Sequence, residues 1–109
     1  MAVVAGVEQS SNGSVVTGTL GGTGGGTALR ALPGYPVSVT LSGTWAGTVV
    51  IERSYDGGTT FVAISMPAPL SYTANVSIDV QNASPEVGVL YRVNCTLYTS
   101  GTVAYRLSH

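Results

Sequence analysis

The sequence predicts an all-β fold: an immunoglobulin-like antiparallel β-sandwich of about seven strands, with a jelly roll as the alternative. Three observations predict it. Apolar and polar residues alternate along most of the chain from Val37 onward, which is the period of a half-buried strand. Turn signals interrupt those runs at short intervals, as at Pro33-Gly34, Asp56-Gly57-Gly58 and Ser100-Gly101. No segment shows a 3.6-residue period, so helix content is expected near zero. A jelly roll wants about eight strands, which places it second.

The elements follow in order. Residues 1–13 are small and polar, without a clear period, and are expected to form an arm. Ser14–Leu20 is a candidate first strand. Gly21–Thr27 holds five glycines in seven residues, a composition of high backbone entropy that predicts a flexible link. Ala28–Pro36 is apolar but broken by Pro33-Gly34 and Pro36. The expected division is therefore an N-terminal arm and glycine-rich linker, 1–35, and a sandwich domain, 36–109.

Val37, Val39 and Leu41 point one way and Ser38, Thr40 and Ser42 the other. A hairpin follows, with strands near 47–55 and 59–64 and Asp56-Gly57-Gly58 as its turn. Met66-Pro67-Ala68-Pro69 is a connection, because proline cannot sit inside a sheet. Val76, Ile78 and Val80 mark another strand, and Gln81 to Gly88 a loop. Gly88–Tyr98 is the longest strand, with Tyr91, Val93, Cys95 and Leu97 facing the core. Thr99–Thr102 is expected to turn the chain. The last strand, carrying Val103, Tyr105 and Leu107, is expected to pair back on its predecessor.

Charge is scarce. Four arginines (Arg30, Arg53, Arg92, Arg106) face five acids, lysine is absent, and charged residues make up 8% of the chain against about a quarter in an ordinary domain. Four scattered arginines build no phosphate footprint, so nucleic acid and anionic membrane are not expected partners. Neither a signal peptide nor a membrane span is expected, for want of a basic N-terminal region and of an 18-residue apolar run. A surface of Ser, Thr and Gly suits a protein held in a permanent assembly.

Catalytic and cofactor chemistry have no constellation to rest on. The glycine run lacks the lysine of a phosphate loop, and Thr27 stands where GxGxxG needs its last glycine. His109 is the one histidine; as the C-terminal residue it is expected to be frayed, a poor general base. Cys95, the one cysteine, is expected to be a buried free thiol. No metal, cofactor or catalytic residue is assigned, and the chain is expected not to be an enzyme. Glu52, Arg92 and Arg106 lie on outward faces and form a candidate cross-strand charge cluster, contributing about 0.2–1 kcal/mol per pair. Trp45, Tyr55 and Tyr98 are the candidate interface residues, favoured as core or subunit contacts over a sugar-stacking platform.

Three stretches carry a family resemblance. They are Gly43-Thr44-Trp45-x-Gly47-Thr48-Val49, Glu52-Arg53-Ser54-x-Asp56-Gly57-Gly58-Thr59, and Gly88-x-x-Tyr91-Arg92-x-x-Cys95-x-x-Tyr98-Thr99-Ser100-Gly101-Thr102-Val103. Together, over about residues 36–108, they resemble small virion structural proteins of tailed bacteriophages, the β-sandwich proteins described as head decoration or cement components. The resemblance implies a non-enzymatic virion part, a capsid decoration protein that stabilises the head lattice. Its implied partner is the major capsid protein or another virion protein. A homo-oligomer is implied, a trimer on a local three-fold axis being favoured, on the surface of the phage head. A glycan-binding fibre module and a tail or head–tail connector subunit are the alternatives.

Overall fold

A computed structural model describes residues 14–33, 35–65, 68–80 and 87–109. The chain is all-β and antiparallel, with eight strand segments hydrogen-bonded into one sheet. Two long strands form its spine: β4, Val37–Ser54, and β8, Leu90–Ser108. They pair antiparallel from Ser38↔Ser108 to Ser54↔Leu90.

The remaining strands are short and flank this ribbon in two groups. On the open side of β8 lie β1 (Val15–Leu20), which pairs with 103–108, then β2 (Gly24–Gly25) and β3 (Leu29–Arg30), which pair with the 90–95 half. On the open side of β4 lie β7 (Val76–Val80), against 37–41, and then β6 (Ser71–Tyr72) and β5 (Val62–Ala63), against 49–53. Each half of the sheet is thus four strands wide, and the two halves share the ribbon.

The middle of the ribbon is where the sheet folds over. Register shifts fall between Ala46 and Gly47 and between Thr48 and Val49, where β8 carries one extra residue each time, Thr99 and Thr96. A single bulge turns every later side chain to the opposite face, and a second turns it back. The odd-numbered residues of both strands therefore stay inward on either side of the bend. Val37, Val39, Leu41, Val103, Tyr105 and Leu107 in one half, and Val49, Ile51, Tyr91, Val93 and Cys95 in the other, are all buried in one core. A direct tie crosses between the halves: the Tyr105 hydroxyl, in the β1 half, accepts a hydrogen bond from the Thr27 amide, between β2 and β3, at 2.8 Å. The result is sandwich-like, two layers made from one folded sheet.

Glycine is required at the bend. Gly101 has φ 85° and Gly47 φ 153°. A Cβ on Gly101 would lie 2.7 Å from the Trp45 Cα, and one on Gly47 would strike the Leu97 carbonyl oxygen. L-residues disfavour that backbone and this space admits none of their side chains.

Several expectations need correcting. Residues 37–54 are one strand, since Gly43 and Gly47 bend the chain without ending its pairing. Thr99–Thr102 is not a turn but part of β8, because the bulge at Thr99 absorbs the direction change that the Ser100-Gly101 signal marks. The segments around it therefore lie in opposite layers and do not pair with each other. Leu97 is 60% exposed, because it sits in the bulged stretch between the two inward runs. The glycine-rich region also departs from a free linker: β1, β2 and β3 are stitched to β8, and Leu20, Leu29 and Ala31 are core residues. Its glycines let the backbone approach closely. A Cβ on Gly26 would fall 2.7 Å from the Tyr105 ring, and one on Gly25 2.6 Å from the Arg92 guanidinium. The expected arm at 1–13 and the Met66-Pro67 connection lie outside the described residues, as does most of the loop 81–88.

Candidate functional site

The hairpin tip is built first from Ser54. Its hydroxyl donates to the Asp56 carboxylate at 2.7 Å and accepts from the Gly58 amide at 3.0 Å. The same Asp56 carboxylate oxygen accepts the Thr60 amide at 2.8 Å. These bonds, the Ser54 hydroxyl foremost and the Thr60 amide next, hold the Asp56 carboxyl below the usual carboxylate range. The turn returns the chain into β5, where Arg53 pairs with Val62.

Beside this turn is a shallow hollow of about 200 Å³, lined by Arg53, Tyr55, Asp56, Thr60 and Val62. The Arg53 guanidinium stands 5.5 Å from the Tyr55 ring centre. Tyr55 and Val62 are both more than half exposed. The hollow is an open, mixed surface that offers one cation and one aromatic face.

The Glu52–Arg92 half of the expected charge cluster forms, and it sits deeper than a solvated surface pair. Glu52 and Arg92 are direct partners across β4 and β8. Arg92 Nε donates to Glu52 Oε1 at 2.8 Å, and Asn94 Nδ2 donates to Oε2 at 2.9 Å. The guanidinium lies 3.9 Å over the Phe61 ring and also against the Gly25 backbone. Glu52 is 8% exposed as a consequence. The cluster fastens the hairpin tip and β2 to the ribbon, so its work is structural. Arg106 is not part of it: its neighbours across the sheet are Thr17 and Thr40, in the other half, and it donates to the Ser108 hydroxyl.

Trp45 and Tyr98 both lie at the bend. Trp45 is half-buried against the core and donates from Nε1 to Asn75 Oδ1 at 2.7 Å, while Asn75 Nδ2 donates to the Gly43 carbonyl. Tyr98 is 36% exposed and donates to the Gly101 carbonyl. Tyr55 lies ten positions along the chain from Trp45, roughly 33 Å of extended backbone. Trp45 and Tyr98 share the bend, and Tyr55 follows the end of β4 at the hairpin tip. Trp45 braces the bend, and Tyr98 and Tyr55 offer separate exposed contacts.

The remaining reactive groups are dispersed. Cys95 is a buried free thiol bonded to the Leu97 carbonyl. His109 is not frayed: its backbone exchanges hydrogen bonds with Ser14, next to β1. Among the described residues no three of His, Cys, Asp and Glu cluster as metal ligands would. Sequence reasoning missed the hollow and the exposed Val62. The Arg53–Tyr55 spacing of two along one strand was the available signal, since it puts both side chains on one face. No protein-family model, curated protein or solved structure matches this chain.

Proposed function

We propose that this chain is a non-enzymatic structural protein of a bacteriophage virion, acting as a capsid decoration protein that binds and stabilises the head lattice. The observation that carries the reading is the sparsely charged surface. Four basic and five acidic residues serve the whole chain, and one of each is spent on the largely covered Glu52–Arg92 pair. Among the described residues the other charges are Arg30, Arg53, Asp56, Asp79 and Arg106, set singly among Ser, Thr, Gly and scattered exposed apolar side chains such as Val15, Tyr55, Val62 and Leu97. Such a surface keeps a free protein poorly separated from its neighbours and suits burial in an assembly. The family resemblance in the Trp45, Asp56 and Tyr91–Val103 stretches supplies the kind of assembly.

The mechanism is linkage. A protein that binds one lattice state and not its alternatives stabilises that state in proportion to its occupancy. A domain whose layers share a single folded sheet is a rigid spacer for that task.

The test is co-sedimentation of the purified full chain with empty heads of the phage that carries its gene, before and after head expansion. Saturable binding to expanded heads, with a raised temperature of head disruption, is the expected result. Absence of binding to either form overturns the reading.

A further inference from the structure

The four-stranded half formed by β1, β8, β4 and β7 ends in two free edges among the described residues, and they differ in kind. β7 carries Asp79 on its exposed face. β1 is Val-Val-Thr-Gly-Thr-Leu, with no charge, no proline and no register break in its six pairs with β8. Edges are normally blunted by lysine, proline, bulges or brevity. β1 uses none of these, and Val15 at its start is 55% exposed.

We infer that the β1 edge pairs with the β1 edge of a second copy, joining two sheets into one around a two-fold axis. An antiparallel pair of identical strands is self-complementary: each copy's outward amides and carbonyls meet those of the other. The two-fold axis stands perpendicular to the sheet, so both outer faces stay on the same side. With the axis at Thr17, Val15 of one copy lies opposite Thr19 of the other.

Charge favours this occupant over a charged partner. Among the residues that β1 pairs with, the one ionised side chain is Arg106, one strand in from the edge, opposite Thr17. The two copies' Arg106 side chains would then stand three strand spacings apart, about 14 Å. That exceeds the Debye length of about 8 Å at physiological ionic strength, so the copies do not repel each other there. A two-fold edge contact closes at two copies. It therefore gives a dimer where lattice symmetry had suggested a trimer. This inference does not depend on the virion reading.

The test is light scattering of the full chain across a dilution series from about 1 mM to about 1 μM. The wild type is expected at twice the chain mass at high concentration, dissociating on dilution and insensitive to salt. The double variant Val15→Lys/Thr19→Lys sets lysines opposite each other twice and is expected to be monomeric throughout. A control with the same added charge elsewhere, Thr59→Lys/Ser65→Lys, is expected to dimerise as the wild type does. Circular dichroism and a cooperative melt establish that both variants fold. A wild type that is monomeric at every concentration, which includes an edge covered by the chain's own N-terminal residues, overturns the inference. So does any oligomer that persists in the folded Val15→Lys/Thr19→Lys variant.

Discussion

The individual residues that matter most are those whose partners cannot be replaced by water. Arg92 is one. Its guanidinium neutralises Glu52, covers the Phe61 ring and fills the space left open by Gly25. Arg92→Ala strands a mostly buried carboxylate and removes that packing together. The expected loss is about 2–4 kcal/mol, read from urea unfolding. A loss under about 0.5 kcal/mol would mean that the pair behaves as an exposed one. Asp56 gives a pH signature. Its folded-state pKa is depressed, so the stability it contributes is fully present above the ordinary carboxylate pKa and is lost as pH falls through the lower folded value. Melting temperature is expected to decline across that acid window in the wild type and to decline less in Asp56→Ala, whose stability at neutral pH is already lower. The pairing of Glu52 with an arginine was legible in sequence, because alternation puts both on the outward face. That it would be Arg92, and largely covered, was not, since the cover comes from Phe61 across the hairpin and from Gly25 in β2.

At the scale of elements the bend between the layers is the decisive feature. Gly101 combines a positive φ with contact against the Trp45 backbone, neither of which a side chain can relieve. Gly101→Ala is expected to cost about 2–4 kcal/mol by denaturant unfolding, whereas an alanine at Gly21, which has open space around it, is expected to be near neutral. The glycine-rich region is the second element to test. Removal of residues 1–27 takes away β1 and β2 and deletes Leu20, worth about 2–5 kcal/mol by itself. It is expected to abolish the cooperative thermal transition. A truncated chain that still melted cooperatively at the wild-type temperature would return this region to the role of a linker. Strand positions were largely readable from alternation: the two ends of β8 and the inward set of β4 follow odd-numbered apolar residues, and β7 follows Val76, Ile78 and Val80. The continuity of β4 and β8 was not. A Ser-Gly signal inside a strand looks like a turn until paired bulges are seen to preserve the face on both sides.

For the whole molecule, two layers are made from one sheet, and the chain carries little charge. Low charge was evident from composition, and so was its consequence that the surface suits burial. Which part of that surface is available to neighbours required the structure, because the uncharged β1 edge emerges only once β8 is known to pair with β1 and β4 at once. Of the aromatic residues favoured from sequence as core or interface contacts, Trp45 and Tyr98 lie at the bend and Tyr55 at the hairpin tip.

The most direct test of the central claim is quantitative mass spectrometry of purified virions of the phage that carries the gene, with immunogold labelling of intact particles. The account predicts the chain at a fixed ratio to the major capsid protein, with gold on the heads. Virions that lack the chain, in a lysate where it is abundant, would contradict it.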